Sequence, residues 1–325
     1  MKSKYSGNKK RISYAGSTIL VLIVFGILIT TVSASTSYQS TLVKGTEEFI
    51  ITQYDETAWK NTVNTSSTPS EWFDGTANIT NSKSKFTIKG WSYTTWQIYD
   101  VLTSIIMPEY FDTEEIFMLL GLMTNQGYNE TIINANYTLS YNLWYGLRAV
   151  WNFTAGNFEE EPSYIDGVFI LENPLLFKTM LDDYNNLSAE LNGRLMLPPG
   201  YSFPILTADE FLWDIALNGL AIAEPQEQYL LDLLNELGCE NASSNGNTLI
   251  FERYGVTNYT VEIVYGIKGL ISIFNVKDDN DAIIFSFHSS DSNWFFYMIL
   301  IILSASVVGL VIVLIIRQRK LKKNR

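Results

Sequence analysis

The chain has 325 residues and a formal net charge of −12; hydrophobic residues make up 47% of it, aromatics 14% and charged residues only 17%. That apolar content excludes a disordered chain and supplies enough material for one or two domains with real cores. A single Cys and a single His exclude an internal disulfide framework and zinc sites built from those residues.

At the N-terminus Lys2, Lys4, Lys9, Lys10 and Arg11 precede an apolar run over 15–34. Its most apolar part, 19–29, has the length of a signal-peptide h-region, and Val32-Ser33-Ala34 puts small residues before a cleavage point at Ser35. The full run is also long enough to span a bilayer. Residues 1–34 therefore read as a signal peptide or an N-terminal transmembrane anchor, and either places the middle of the chain on the outer face.

The extracytoplasmic stretch, 36–293, reads as α+β, with antiparallel sheet and packed helices. Residues 61–83, rich in Asn, Ser, Thr, Gly and Pro, predict a glycan-bearing loop. KFTIKGW and TTWQIYDVL alternate as strands, with Trp91 and Trp96 flanking a turn. Asp112-Thr113-Glu114-Glu115 opens a helix, its acids in the first turn where the helix dipole favours them. Residues 130–154 predict two long strands, and GVFIL, 167–171, a further short one.

A helix starts at Pro174, which suits the first helical position. Thr207-Ala208-Asp209-Glu210 is a capping box ahead of FLWDIALNG. Pro225 opens a third helix, with Leu230, Leu233, Leu234 and Leu237 on one face and Gly238 just beyond its end. TLIFERY, YTVEIVY, LISIFNVK and AIIFSFH then predict four short strands with tight connections, an antiparallel meander. On the second of these Tyr259, Val261, Ile263 and Tyr265 share one face. EEIFMLLGLM and DEFLWDIALNG echo each other, which suggests two modules, about 40–160 and 165–290. One continuous sheet with helices on one face is the competing architecture.

Residues 294–316 contain no charge, and at 1.5 Å per residue they make a helix of roughly 34 Å, enough to cross a ~30 Å hydrocarbon core. Aromatic residues stand at its entry and the basic tail RQRKLKKNR, 317–325, comes next, so the expected C-terminus is cytoplasmic. Ala305 and Gly309 within this span have the small-xxx-small spacing that packs transmembrane helices. The two basic ends leave 11 Lys and Arg beside all 34 Asp and Glu in 36–293, a net charge near −23. A domain so acidic repels phosphate backbones and excludes nucleic acid as a partner. Eight sequons, at Asn64, Asn78, Asn129, Asn136, Asn152, Asn186, Asn241 and Asn258, are glycosylation candidates that agree with an extracytoplasmic location.

No pattern for catalysis, a cofactor or a metal stands out. A catalytic triad or a Cys–His dyad must use His288, expected on an edge strand beside the membrane. Cys239 comes after a helix-ending glycine as a small half-buried residue. Asp278-Asp279-Asn280-Asp281 lacks EF-hand spacing and reads as a solvated hairpin turn. Glu159-Glu160-Glu161 reads as loop, Asp182-Asp183 and Asp209-Glu210 as helix ends. Paired carboxylates with tryptophans can build a glycosidase, but 34 acids make that pattern unspecific. The seven Trp between 36 and 293 read first as core and second as a binding face.

The basic start KSKYSGNKKR, the run STILVLIVFGILIT, the sequon-rich aromatic middle and the closing span with RQRKLKKNR together resemble uncharacterised archaeal membrane-anchored cell-surface proteins, particularly of Asgard-type lineages. The resemblance covers the layout of the whole chain and rests on no signature motif, so it implies a location and no catalytic residue. The expectation is a non-enzymatic surface protein in the cell membrane, its ectodomain binding a surface protein or glycan or serving structurally. The alternatives are a carrier or receptor for an apolar or lipid ligand held between sheet and helices, and a carboxylate-based glycan hydrolase.

Overall fold

The computed structural model describes residues 37–290. The signal or anchor segment, the apolar run 294–316 with Ala305 and Gly309, and the basic tail lie outside the described residues. Among the described residues no helix is long and apolar enough to cross a membrane.

Among the described residues the first strand is β1 (Gly45–Tyr54), followed by helix α1 (Glu56–Thr62), which the Asp55 side chain caps by accepting from the Ala58 N–H. A 3-10 turn (Pro69–Glu71) leads to β2 (Lys83–Trp96). Helix α2 (Ile98–Val101), a π-helical turn (Leu102–Ile106) and α3 (Met107–Tyr110) run on from one another, and α4 (Thr113–Asn125) and α5 (Glu130–Asn136) come after them. Strands β3 (Tyr141–Thr154) and β4 (Tyr164–Leu171) precede helices α6 (Phe177–Arg194), α7 (Ala208–Leu217) and α8 (Gln226–Leu237). The chain then makes β5 (Ala242–Asn245), β6 (Thr248–Tyr254), β7 (Asn258–Tyr265), β8 (Ile271–Lys277) and β9 (Ile283–Ser289).

All nine strands form one antiparallel sheet in the order β4-β3-β2-β1-β9-β8-β7-β6-β5. Two meanders, β1–β4 and β5–β9, meet where the first and last strands pair, with Phe49 opposite Ser289 and Tyr54 opposite Phe285. A single sheet thus runs through both the 40–160 and the 165–290 stretches. Its inner face carries Phe49, Ile51, Val261, Ile263, Phe274, Val276, Phe285 and Phe287, all buried. Phe177, Tyr184, Phe211, Tyr229, Leu230, Leu233 and Leu237 of the helices complete the core, while Leu234 is half-buried. Tyr259, Val261, Ile263 and Tyr265 are all buried, as their alternation predicts.

The expected capping box at Thr207 with Glu210 forms, the helix expected at Asp112 starts there with a capping box of its own to Glu115, and Gly238 ends α8 at φ 69° in the left-handed region. Elsewhere the structure departs from expectation. Residues 130–154 are not two strands. Asn129 caps α5 by accepting from the Ile132 N–H at 3.1 Å, and only 141–154 is strand. Trp91 and Trp96 flank no turn, for both lie within β2, and TTWQIYDVL turns helical where Gln97 and Asp100 make a capping box. Asp182 and Asp183 lie inside α6 rather than at its end. Pro174 opens the 3-10 turn that precedes α6, and Pro225 caps α8 from outside. The 61–83 loop buries Ala77 and packs Trp72 and Phe73 on the core. His288 lies on the middle strand of the sheet, not an edge, because β1 arrives from the far end of the chain to pair with β9.

The acid excess shapes the packing. Of the few Lys and Arg in this region, Arg148 grips Asp166 with two hydrogen bonds of 2.5 and 2.8 Å, and Lys277 pairs with Glu262 at 2.5 Å. Several other carboxylates accept from tyrosines, Glu190 in addition to its ion pair with Arg194 at 3.2 Å. Tyr141 donates to Asp183 at 2.8 Å, Tyr110 to Asp214 at 2.7 Å, Tyr93 to Glu172 at 2.5 Å, Tyr201 to Glu115 at 3.0 Å, and both Tyr128 and Tyr137 reach Glu190. A phenol is the neutral donor that an aromatic-rich, cation-poor chain has to spare.

Candidate functional site

A concavity of about 380 Å³ opens at the end of the sheet where the β6–β7 hairpin, the start of β7, the β8–β9 turn and the segment after α8 converge. Close backbone packing positions the hairpin. The Val256 and Thr257 N–H groups donate to the Thr62 carbonyl at 2.9 and 3.0 Å, locking the hairpin to the end of α1. Gly255 is required there, since a Cβ would stand 2.0 Å from the Val63 carbonyl oxygen.

Arg253 is part of the lining, but its side chain, like those of Phe251 and Tyr259, points to the inner face of the sheet, opposite to Glu252, Tyr254, Asn258 and Thr260. Its guanidinium carbon lies 3.8 Å from the centre of the Trp213 ring, and its Nε donates to the Tyr259 hydroxyl at 3.3 Å. Trp213 is itself wedged edge-on against Phe251 and Trp72, and Trp72 stacks on Tyr259. The arginine is thus held on a rigid aromatic base from both sheet and helix. Tyr254, 77% exposed, stands at the rim. Asn241 is fixed by Asp209, which accepts from its backbone N–H at 3.0 Å and its carboxamide at 3.4 Å. Asn258, Thr260, Glu252 and Asp279 complete the lining.

The surroundings are acidic. Glu252 and Asp279 face the concavity, and Glu210 and Asp214 lie close enough to Arg253 to be influenced by its charge. The Glu210 carboxyl is held below its usual range, chiefly by the Thr207 backbone N–H and then by the Thr207 hydroxyl. The site therefore offers planar hydrogen-bonding groups and an aromatic ring in a field with little net positive charge.

A second concavity, about 300 Å³, lies beside the end of β3. Trp151 donates through Nε1 to the Glu159 carbonyl at 2.9 Å, and Lys85 sits 4.3 Å over the Trp151 ring and 4.6 Å over Phe158. Asn152, half-buried, lines it with a buried Oδ1 that has no hydrogen-bond partner among the described residues.

The carboxylate with the largest upward shift is elsewhere. Burial pushes Asp214 up to about 6, with Glu109 and Glu210 adding to the effect and the Tyr110 hydrogen bond and Arg253 opposing it. Asp214 is buried on α7 and lines neither concavity. Burial lowers His288 and raises Cys239 to about 12, which leaves that thiol protonated and poorly nucleophilic at neutral pH. Asp278 accepts from the Asn280 and Ala282 backbone N–H groups at 2.9 Å each, so this acidic turn is held by its own backbone. Among the described residues no group of three or more His, Cys, Asp or Glu converges on a point.

Of the eight sequon asparagines, Asn64, Asn78, Asn129, Asn136, Asn186, Asn241 and Asn258 are exposed and Asn152 is half-buried. The fold gathers two of them, Asn241 and Asn258, around the first concavity. Arg253 and Tyr254 carry no signal of a site in the sequence, since within TLIFERY they look like ordinary strand residues. The partner that gives Arg253 its role, Trp213, is forty positions away on a helix. Trp59, Trp96, Trp151 and Trp213 are buried, Trp72 and Trp144 half-buried, and Trp91 exposed. No family model matches the chain, and neither the curated proteins nor the solved structures contain a match to it.

Proposed function

We propose that the chain is a membrane-anchored cell-surface protein, its ectodomain outside the cell and its C-terminus cytoplasmic, that binds a neutral glycan at the Arg253 concavity without turning it over. The observation that carries this reading is a polar, half-open cleft on the outer face of the sheet in which the exposed Tyr254 stands opposite Asn258 and beside Thr260 and Glu252. Sugar hydroxyls come in vicinal pairs that suit planar, two-point donors and acceptors, and sugar rings present C–H faces that stack on aromatics. Glu252 and Asp279 disfavour a phosphorylated or sulfated ligand. The cleft has the volume of a small-molecule site but polar walls, which favours a hydroxyl-rich ligand over an apolar one. Asp214, a carboxyl that burial pushes up to about 6, stands outside the cleft, which favours binding over hydrolysis.

The test is titration of the full chain, produced without glycosylation and held in detergent, with chitin, mannan and β-glucan oligosaccharides and their sulfated counterparts. The expected result is saturable binding of at least one neutral series, weaker binding of its sulfated form, and a loss of about tenfold for Tyr254→Ala, an exposed substitution that leaves the core intact. Binding of none of the neutral series, or unchanged binding by Tyr254→Ala, overturns the reading.

A further inference from the structure

We infer that the Arg253 concavity is also the seat of the chain's own N-linked glycan, carried on Asn258, and that modification there closes the site to outside ligands. The inference rests on the extracytoplasmic placement proposed above. The eight sequon asparagines are not equivalent in the structure. Asn64 and Asn129 hold local turns through their Oδ1 atoms, to Ser66 and Ile132 respectively, and Asn241 is tied to Asp209. Asn152 is half-buried, and Asn186 lies within α6 with the hydroxyl-bearing Ser188 of its sequon fully buried. Asn78, Asn136 and Asn258 are exposed and their carboxamides make no hydrogen bond among the described residues; of these three, Asn258 stands at the start of a strand just after a turn and is the one that lines a concavity. All three residues of its sequon, Asn258, Tyr259 and Thr260, line the same concavity as Arg253 and Tyr254.

A sugar joined to Nδ2 of Asn258 is therefore delivered into the cleft by the covalent bond itself. The bond from Nδ2 to the sugar C1 forms as the bond from C1 to the diphosphate of a lipid-linked oligosaccharide donor breaks. The lipid diphosphate leaves and Nδ2 gives up one proton. Tethering holds the first sugars at an effective concentration in the millimolar range, above that of most free ligands, so even weak contacts with Tyr254, which stands opposite Asn258 in the strand register, keep the cleft filled.

The experiment compares full-length chain made in a glycosylating host with the Thr260→Ala and Thr260→Ser variants from the same host, by glycopeptide mass spectrometry and hydroxyl-radical footprinting. The expected result is occupancy of Asn258 in the wild type and in Thr260→Ser, with Tyr254 labelled at least threefold more slowly than in Thr260→Ala. An unmodified Asn258 in the wild type overturns the inference, and so does an occupied Asn258 with Tyr254 labelled as fast as in Thr260→Ala. The readouts separate this inference from the binding proposal: titration of unglycosylated chain tests the latter alone, and footprinting detects a seated glycan whether or not outside glycans bind.

Discussion

Two regions of the molecule are held together by different chemistry. Around the β5–β9 meander the core is aromatic on aromatic: Phe285 contacts the rings of Tyr54, Trp59, Phe73, Phe274 and Phe287, and Phe274 stacks on Phe287 at 5.3 Å. Around the helices that come after β2 and β4, tyrosine hydroxyls tie carboxylates of α4, α6 and α7 to β3, to α3 and to loops. The meander depends on apolar burial, which is indifferent to pH. The helical side contains one buried acid, Asp214, so its stability responds to protonation. A chain this acidic folds with few cations by burying apolar area in one core and pairing carboxylates with neutral donors.

The contrast is most severely disrupted from the aromatic side. Phe285→Ala removes a fully buried ring from the middle strand and is expected to cost about 3–5 kcal/mol in chemical denaturation, at all pH values alike. Asp214→Asn acts in the opposite direction. The Asp214 carboxyl is pushed up to about 6 against a usual 3.8, so the folded state binds its proton more tightly than the unfolded state. Its contribution is fully present below about pH 4 and is lost as pH rises through about 6. The amide carries no such penalty, so Asp214→Asn is expected to gain on the order of 2 kcal/mol at pH 8 and nothing at pH 4, flattening that part of the pH–stability curve. A smaller effect isolates the phenol: Tyr141→Phe keeps the buried ring and deletes only the hydroxyl that reaches Asp183, for a loss of about 1 kcal/mol by the same denaturation measurement.

Strands β6–β9 were legible almost residue by residue, whereas β5, the four residues ASSN, was not legible as a strand. The four are short, alternate cleanly and are joined by tight turns, so pairing is decided by neighbours in sequence. The helices with boxes at Asp112 and Thr207 were legible for the same reason, because a cap is a local hydrogen bond. Strand β1 carries no comparable signal: GTEEFIITQY alternates with charges, and its partners, β2 and β9, lie dozens and hundreds of residues away. Residues 130–136 mislead by their Thr and Ile content, which favours strand until Asn129 caps a helix. Of the candidate site, the sequons at Asn241 and Asn258 were readable as motifs, but nothing local places them beside Arg253.

The framing apolar runs and basic ends, the acid excess of the middle, the α+β class, the capped helices and the closing meander are all written in the linear chain. Each comes from composition, spacing or a bond between near neighbours. Folding in three dimensions was needed to join β1 to β9 and so set His288 in mid-sheet, to seat Arg253 of a strand on Trp213 of a helix, and to bring two sequons to one cleft. These are contacts between residues far apart in the chain, whose cost in loop closure is met by burial of the whole core, and no short window of sequence contains both partners.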